Sequence, residues 1–495
     1  MNQPIRASVL ALAVAALTAA CGPEQAQHTP TAQVAAGDAG FADTFRTRLL
    51  DAKDGDVIEV PAGRYTFDRS LTLRVDGVTI RGAGPDKSVL SFKGQKAGAE
   101  GLLVNASRFT LENIAIEDSK GDGLKVNEGE HITIRNVRVE WTGGPSTKNG
   151  AYGLYPVKTR NVLIENSVAI GASDAGIYVG QSRDVIVRNS RAEFNVAGIE
   201  IENTVNADVY DNVATNNTGG ILVFNMPALS QQGGAIRVFK NKVFKNNTAN
   251  FGAKGTPVAS VPAGSGMVVN SNDDVEIFDN DISDNATTNI IVSSVYSTGY
   301  KDDKAAKDFD PYPERISIYG NRLSGGGDSP DGLDLKALKT AIYGLSGHFP
   351  DVLWDATPIR TARKGHRSAF AMCPAWSTPT APAATRTRAR TPSPTSANCR
   401  SCRRSTSSAV DRCAVFRWVM LRQVVLRCVT CSPWRCRCWS RDAGSRARIS
   451  RRKPRHKRPT SRPIRPGRRC ISSPTASRPT WRNGMCCASP TGVCV

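Results

Sequence analysis

Residues 161–166 read NVLIEN and residues 176–179 read GIYV; residues 184–189 then read DVIVRN and residues 198–201 read GIEI. The second pair repeats the first at an offset of 22–23 residues. Each copy contains two short runs in which apolar and polar residues alternate, and Gly, Ser, Asn and Asp separate the runs. Self-similarity at a period of this length is typical of a solenoid.

Alternation along a strand places the β-branched residues of each run on one face, because successive side chains point to opposite sides. One copy alone cannot bury that face. Equivalent strands can bury it if they pair in parallel about 4.8 Å apart while the chain coils. The repeats therefore predict an all-β solenoid with a continuous aliphatic column inside. The predicted inward residues are Leu124, Val126, Leu154, Ile177, Val179, Ile199, Ile201, Ile221, Val223, Met267, Val269, Ile290 and Val292.

Asn and Gly mark the turns between the runs. Asn tolerates left-handed backbone conformations and hydrogen-bonds to neighbouring backbone groups, so the recurring Asn residues indicate a stack of turns. The stack is imperfect, because in the later copies at 209–212 and 277–280 the Asn falls one residue later. The recurring residues are Asn113, Asn136, Asn166, Asn189, Asn212, Asn241, Asn280 and Asn321, and Gly123, Gly153, Gly176, Gly198, Gly220 and Gly266.

The two ends of a solenoid expose apolar side chains and unpaired strand edges, so each end needs a cover. A short helical segment that follows Phe41 carries Phe45, Leu49 and Leu50 on one side, and we expect it to cap the first end. Residues 331–345 read as a helix that closes the other end.

Four insertions enlarge the turns, at 140–151, 225–235, 245–263 and 294–313. In repeat proteins such insertions form loops that often border the binding face. Because these insertions alternate between two loop positions, a groove between two loop walls and a single lid both fit the pattern.

The first 21 residues read as an export signal. Arg6 precedes an apolar run at 7–17 that is too short to span a bilayer as a mature helix, and small residues then lead to Cys21. This resembles a bacterial lipoprotein processing site and predicts lipid attachment at Cys21, with simple cleavage and secretion as the alternative. Residues 22–40 are predicted to be a linker. The expected location is outside the cytoplasm, either periplasmic or anchored to the outer membrane.

Five segments carry a resemblance to a known group of proteins: DVIEVPAGRY at 56–65, GDGLKV at 121–126, RVEWTGG at 138–144, GASDAGIYVG at 171–180 and DGLD at 331–334. They resemble the right-handed parallel β-helix repeat proteins of the pectin-lyase-like superfamily, in particular a bacterial exported group. The resemblance implies a single-stranded right-handed parallel β-helix, here over residues 41–354, with a short N-terminal capping helix. It implies export as well, but little about activity.

From residue 355 the composition changes. Residues 371–495 contain 25 Arg, 2 Lys, 2 acidic residues and 12 of the 13 Cys. Their formal charge is +25, which leaves −4 for residues 1–370 out of the total of +21. Because no periodic apolar face is present, residues 355–495 are predicted to form a disordered tail.

Three origins of this tail are open. A nucleic-acid-binding arm would use basic runs such as 451–458 to neutralise phosphates, but an exported protein rarely meets nucleic acid, so no such partner is predicted. A zinc module would combine Cys399 and Cys402 with the similar pair at 428 and 431, but the other cysteines follow no regular scheme. A frameshift in GC-rich DNA explains abundant Arg, Pro, Ser and Cys without acids, and we favour it.

Any ligand chemistry is expected on the outer face, in one column of outward residues that follows the Gly–aliphatic pairs. A base, two phenols and a carboxylate would lie one strand spacing apart. Tyr faces can stack on sugars and charged groups can contact uronic carboxylates, so the column predicts a polysaccharide partner. The column is Lys125, Tyr155, Tyr178, Glu200 and Leu222, with Asp122 and Asp174 in the turns before it.

Within this hypothesis Tyr155, Asp122 and Asp174 bind the ligand. A structural role is the main alternative, because outward strand positions must be polar or aromatic for solubility and cross-strand packing. A second alternative is an enzyme, a lyase or C5-epimerase, which must abstract a proton beside a carboxylate. Tyr178 or Lys125 would then act as the base, and Glu200 or Asp174 would assist. A third is a scaffold that holds another envelope component.

Several catalytic signatures are missing from the sequence. It lacks the Asp-Pro-His-Asp motif of alginate epimerases, the Gly-His-Gly of polygalacturonase-like hydrolases, phosphate loops and dinucleotide fingerprints. His131 is interpreted as a turn residue. No cofactor or metal site is predicted beyond weak calcium binding at Asp273 and Asp274 or at Asp302 and Asp303.

Overall fold

The computed structural model describes residue 28, residues 34–298 and 309–355, and the backbone of residues 371–372. Over these ranges the chain coils so that each turn adds one strand to each of three parallel sheets, which confirms the predicted parallel β-helix. The predicted signal segment with Cys21 and nearly all of the tail lie outside the described residues. Among the described residues no helix has the length and apolar character needed to cross a membrane.

Three of the strands bend through corners and serve more than one sheet: β7 (Thr110–Glu117), β8 (Leu124–Glu140) and β9 (Tyr152–Glu165). The first sheet contains β3 (Arg69–Leu73), β6 (Ala97–Val104), β8, β9, β11 (Ala175–Gly180), β14 (Ala197–Glu202), β17 (Gly219–Phe224), β20 (Ser265–Asn270), β23 (Thr288–Ser293) and β26 (Val352–Trp354). The second contains β1 (Val57–Val60), β4 (Thr79–Gly82), β7, β8, β9, β12 (Arg183–Arg188), β15 (Val205–Tyr210), β18 (Gly234–Phe239), β21 (Asp273–Phe278), β24 (Ser317–Tyr319) and β27 (Ala371–Met372). The third contains β2 (Gly63–Thr66), β5 (Ser88–Ser91), β7, β8, β10 (Val168–Ile170), β13 (Arg191–Glu193), β16 (Val213–Thr215), β19 (Lys242–Phe244), β22 (Asp281–Ser283) and β25 (Arg322–Ser324).

The interior of the coil is the predicted aliphatic column. Ile177 pairs in register with Leu154 on one side and with Ile199 on the other, and Ile199 pairs with Ile221. Every residue of the predicted inward series is buried. Because each layer lies directly over the previous one, the apolar residues of all turns form one continuous core.

The offset of the later Asn residues has a structural reason. Asn166 and Asn189 adopt the left-handed conformation, with φ of 51° and 50°, and in the next turn Asp211 takes that place, with φ of 55°. Asn212 follows it and enters a buried ladder, in which its backbone N–H and its Nδ2 both donate to Asn241 Oδ1 at 3.0 Å. Two different positions therefore use Asn, one for its backbone conformation and one for its amide. The ladder continues in the same way through Asn280 to Asn321.

Helix α1 (Phe41–Leu50) covers the first end of the coil, as predicted. Phe45 and Leu49 are buried, and the Phe45 ring lies 6.1 Å from that of Phe67. Leu50 does not share this face and is 77 % exposed, because it lies about 100° around the helix from Leu49.

Helix α2 (Leu333–Tyr343) does not close the other end, and that prediction was wrong. Strand β26 follows α2 in the chain and pairs with β23, so the coil continues after the helix. Strand β27 also pairs with β24, although residues 371–372 were assigned to the tail. Helix α2 is instead an insertion that lies over the outer face of the first sheet, where Leu338 and Ile342 face Ile291.

Part of the predicted linker also belongs to the fold. Ala36 forms a parallel bridge with Arg64, supported by hydrogen bonds from Arg64 N to Ala35 O (2.8 Å) and from Gly37 N to Arg64 O (3.1 Å). His28 lies 3.3 Å from a carboxylate oxygen of Glu140. The chain is therefore held against the coil before residue 41.

Candidate functional site

The outward column has the register that the repeat predicted. Lys125 pairs with Tyr155, Tyr178 pairs with Glu200, and Glu200 pairs with Leu222. Beyond Leu222 the column becomes apolar, with Val268, Ile291 and Leu353.

The column is not an open stripe along its whole length. The insertion at 245–263 folds over its middle, and Val258 and Val261 pack in one apolar cluster with Tyr178 and Leu222. As a result Tyr178 and Glu200 are each only 4 % exposed. The column expected on the outer face is therefore closed at Tyr178 and Glu200, because apolar side chains of the insertion cover these outward residues.

The covering insertion is tied to a second one. Asn250 Nδ2 donates to the backbone oxygens of Val258 (3.0 Å) and Val261 (2.9 Å), which fixes the shape of the covering loop. Thr147 Oγ1, in the insertion at 140–151, donates to Phe251 O at 2.8 Å. The two insertions therefore meet above the first sheet.

Three tyrosines form the centre of the site. The Tyr152 ring lies 4.4 Å from that of Tyr155 and 4.5 Å from that of Tyr178, and the rings of Tyr155 and Tyr178 meet edge to face at 4.9 Å. Sequence reasoning missed Tyr152, because strand alternation from Leu154 assigns it to the inward face. Tyr152 is the first residue of its strand, next to the preceding turn. The signal that could have found it is that 151–155 (AYGLY) contains another Tyr three residues before Tyr155.

Four carboxyl groups surround these rings, those of Asp122, Asp174, Glu200 and Glu202. Tyr152 hydrogen-bonds to the Asp174 carboxyl, and Tyr178 donates its hydroxyl proton to Glu202. Glu202 was not predicted; it lies two residues after Glu200 on the outward face of the same strand. One Glu200 oxygen, Oε2, is buried and has no hydrogen-bond partner among the described residues.

Burial and mutual repulsion raise the pKa values of these acids. Burial, together with the nearby charges of Glu202 and Asp122, raises the pKa of Asp174 to about 7. Burial likewise raises the pKa of Asp122 to about 6, against the opposing effect of Lys125, whose Nζ lies 3.9 Å from Asp122. Burial also raises the pKa of Glu200 well above its ordinary range. Closely spaced carboxyls cannot all ionise, so this group retains protons near neutral pH.

The phenols retain their protons more firmly than the carboxyl groups do. Burial, together with nearby acids, raises the pKa of Tyr155 to about 12 and that of Tyr178 well above its ordinary value. A phenol in this state donates hydrogen bonds. The role of Tyr178 as a base stays a prediction, and Asp174 has a pKa suited to proton exchange near neutrality.

Lys125 lies at the open end of the cluster. Its Nζ is 4.8 Å from the centre of the Tyr155 ring, within the range of a cation–π contact. Lys125, Asp122 and Tyr155 are all partly exposed, unlike Tyr178 and Glu200. The accessible part of the predicted site is therefore its first two layers.

Comparison with known families agrees with the coil just described. Residues 73–228 match the model of a family described as "Right handed beta helix region". The described part of this chain therefore has the fold of a right-handed parallel β-helix. No curated protein shows significant sequence similarity to it.

One solved structure similar to this β-helix protein is the A-module of a mannuronan C-5 epimerase from Azotobacter vinelandii. The two sequences are 20 % identical, the match covers 61 % of this chain and 87 % of that one, and the TM-score is 0.43. Another is the catalytic unit of an α-1,3-glucanase from Streptomyces thermodiastaticus, with 18 % identity, coverage of 63 % and 51 %, and a TM-score of 0.37. A third is an endo-xylogalacturonan hydrolase from Aspergillus tubingensis, with 12 % identity, coverage of 60 % and 94 %, and a TM-score of 0.32. These likenesses concern the fold.

The β-helix protein shows no group of three or more His, Cys, Asp or Glu side chains placed to hold a metal ion within its described residues. Asp273 and Asp274, one suggested calcium pair, instead contact Arg315, with Asp273 Oδ2 3.3 Å from its guanidinium and Asp274 Oδ2 2.9 Å from it. The other pair, Asp302 and Asp303, lies outside the described residues.

A second aromatic feature of the β-helix protein lies on the second sheet. Tyr210, Phe239, Phe278 and Tyr319 stack face to face, with ring centres 4.8, 4.9 and 5.1 Å apart. Each ring covers a face of its neighbour, so we interpret this stack as cross-strand packing. It supplies an aromatic control surface away from the tyrosine cluster.

Proposed function

We propose that this protein binds an extended polysaccharide on the outer face of its first sheet. The observation that carries the proposal is the cluster of Tyr152, Tyr155 and Tyr178, bordered by carboxyl groups and by the insertion at 140–151. Aromatic rings with apolar faces and polar edges, combined with a few convergent polar groups, are typical of a site that holds a ligand in a fixed orientation.

The open part of the column has the shape for a chain. Thr72, Leu103, Lys125 and Tyr155 occupy successive layers in register and are all partly exposed. The three spacings of about 4.8 Å between these four layers give an open track of roughly 14 Å. A chain of linked sugars would lie along this track and reach the tyrosine cluster where the covering loop begins.

The charge state of the site favours hydroxyl-rich or uronic ligands. A protonated Asp122 or Asp174 can donate a hydrogen bond as well as accept one, and Lys125 offers a cation to a carboxylate. The raised pKa values of these acids lower the negative charge of the site, which reduces its repulsion of a polyanion.

The test is isothermal titration of the full-length protein with alginate, polygalacturonate and a neutral xylan. Tyr155→Ala should weaken binding about twofold to tenfold, since an aromatic contact contributes about 0.5–1.5 kcal/mol beyond its buried area. Tyr319→Ala is the matched control, because Tyr319 is an exposed tyrosine of the second sheet. Unchanged binding in Tyr155→Ala, or an equal loss in both variants, would remove the proposal.

A lyase or C5-epimerase acting on uronic polymers is the second candidate. The observation that favours it is the pairing of Asp174, whose pKa is about 7, with a hydrogen-bonded phenol of Tyr152. A base and an acid side by side could remove and return the proton next to a uronate carboxylate. Following absorbance of unsaturated products and uronate stereochemistry by NMR would test this, and the absence of both changes would exclude the enzyme while leaving the binding proposal intact.

The location follows as a separate proposal: an exported protein, in the periplasm or held at the outer membrane by a lipid on Cys21. It rests on the signal-like residues 1–21 alone. Cell fractionation of the wild type and of Cys21→Ala tests it, with release of the variant from the membrane fraction as the expected result. Co-purification from the envelope would reveal a scaffold role if a protein partner, and no glycan, is retained.

A further inference from the structure

The covering loop at 245–263 is fixed at its two ends. Thr248 N, near its start, and Gly264 N, directly after it, each donate to a backbone oxygen of the preceding turn of the coil at 3.1 Å. Residues 249–261 lie between these two points, and hydrogen bonds within the segment, such as the two from Asn250 Nδ2, hold it together. The segment can therefore move as one body about its ends.

A single hydrogen bond joins this segment to the rest of the described coil. Thr147 Oγ1 donates to Phe251 O at 2.8 Å in an exposed position, and within the described ranges no other hydrogen bond or ion pair leaves residues 249–261. The remaining attachment is apolar, with Val258 and Val261 buried in the cluster below. Because water can replace an exposed hydrogen bond, these two valines are the main contacts that keep the segment closed.

An acid under this segment has an unmet hydrogen-bonding requirement. Glu200 lies in the outward column between Tyr178 and Leu222, and both of these belong to the cluster under the segment. Its Oε2 is buried and has no hydrogen-bond partner among the described residues, and the charges that act on it, those of Asp174 and Glu202, are both negative. Buried polar atoms are nearly always paired, so Oε2 marks a place for a donor that the closed arrangement does not supply.

This oxygen becomes accessible only when residues 249–261 lift away from the sheet, because it has essentially no accessible surface while they are closed. The open track of the proposed polysaccharide site ends at Tyr155, whose ring contacts that of Tyr178 in the next layer. A chain on the track therefore meets the edge of the segment, and it would extend over Tyr178 and Glu200 once the segment opens. The track would then span six layers, or five spacings of about 4.8 Å, roughly 24 Å in all.

We propose that residues 249–261 are a lid over a further sugar subsite, in which Glu200 Oε2 accepts a hydrogen bond from a sugar hydroxyl and Tyr178 contacts the ring. The inference rests on the proposed function, because the open track brings the chain to this place. The two parts of the track differ in chemistry. Lys125 at the open end is the group for a carboxylate, whereas the covered subsite recognises hydroxyl groups.

The test is isothermal titration of the full-length protein with alginate oligosaccharides of three and six units. The trimer is short enough to stay on the open track, whereas the hexamer reaches Glu200 only when the lid opens. The double variant Val258→Ser, Val261→Ser removes the apolar contacts that keep the lid closed. Because the wild type must open the lid before the hexamer binds fully, the double variant should bind the hexamer about threefold to tenfold more tightly and the trimer within about twofold of the wild type. Adding Glu200→Leu to the double variant should abolish this gain.

Leu229→Ser is the matched control, because Leu229 is an apolar residue of another insertion and lies outside the cluster that contains Tyr178. It should bind both oligosaccharides as the wild type does. If the double variant does not fold, Thr147→Ala replaces it, since this change removes only the hydrogen bond to Phe251 O and should shift the hexamer affinity in the same direction.

An unchanged or weaker hexamer affinity in the lid variant, or an equal gain for both oligosaccharides, overturns the lid. If Tyr155→Ala still weakens the binding of both oligosaccharides in that case, the binding function stands without the lid. If the wild type binds neither oligosaccharide, the proposed function fails and the covered subsite fails with it.

Discussion

Replacing Asn241 with Ala should show how much the buried amide ladder stabilises the coil. The side chain takes part in four hydrogen bonds: it accepts from the backbone N–H and the Nδ2 of Asn212, and it donates to Val209 O and to Asn280 Oδ1, all at 2.9–3.0 Å. The substitution leaves the Asn212 N–H buried without an acceptor. At about 0.5–1.5 kcal/mol for each bond, the loss in free energy of unfolding should be about 3–5 kcal/mol.

The matched control is Asn321→Ala at the end of the same ladder. Asn321 also takes part in four hydrogen bonds, with the N–H and Nδ2 of Asn280 and with the oxygens of Ile277 and Tyr319, but it is partly exposed. Water can replace its bonds, so we expect a loss of only about 1–2 kcal/mol. Urea unfolding followed by far-UV circular dichroism measures both. Equal losses, or a loss below about 1 kcal/mol for Asn241→Ala, would refute the argument from burial.

Three further outcomes are expected. Ile199→Ala, inside the column, should lower the free energy of unfolding by about 2–5 kcal/mol, whereas Ile342→Ala on the partly exposed helix α2 should lower it by less than about 1 kcal/mol, both measured by urea unfolding. Because the pKa of Asp174 rises from 3.8 to about 7 on folding, the free energy of unfolding should decline as pH rises through that interval. Asp174→Asn should flatten this decline and raise the free energy of unfolding by about 1–3 kcal/mol at pH 8. A pH profile of stability equal to that of the wild type would contradict this. Val261→Asp should lift the covering loop and make Tyr178 reactive to tetranitromethane, detected by peptide mapping; a Tyr178 as protected as in the wild type would show that the loop does not cover it.

Local sequence was sufficient for the fold. The period of 22–23 residues and the two-residue alternation specify which residues face inward, because a slip of one residue would turn Ile177 and Ile199 outward. The same reasoning placed Lys125, Tyr155, Tyr178 and Glu200 in one column, since register in a parallel coil follows from the repeat itself. It also placed the cap formed by helix α1, whose amphipathic spacing is local.

Long-range contacts decided the rest. The sequence could not show that the insertion at 245–263 covers Tyr178, or that Thr147 joins two insertions separated by 104 residues in the chain, because loop positions depend on packing and not on periodicity. Nor could it show that helix α2 lies over the first sheet, since the helix has an apolar side that fits an end or a flank equally well. Periodic hydrophobicity thus determined the coil, while the burial that raises the pKa values of Asp174 and Glu200 arises only when distant segments close over that coil.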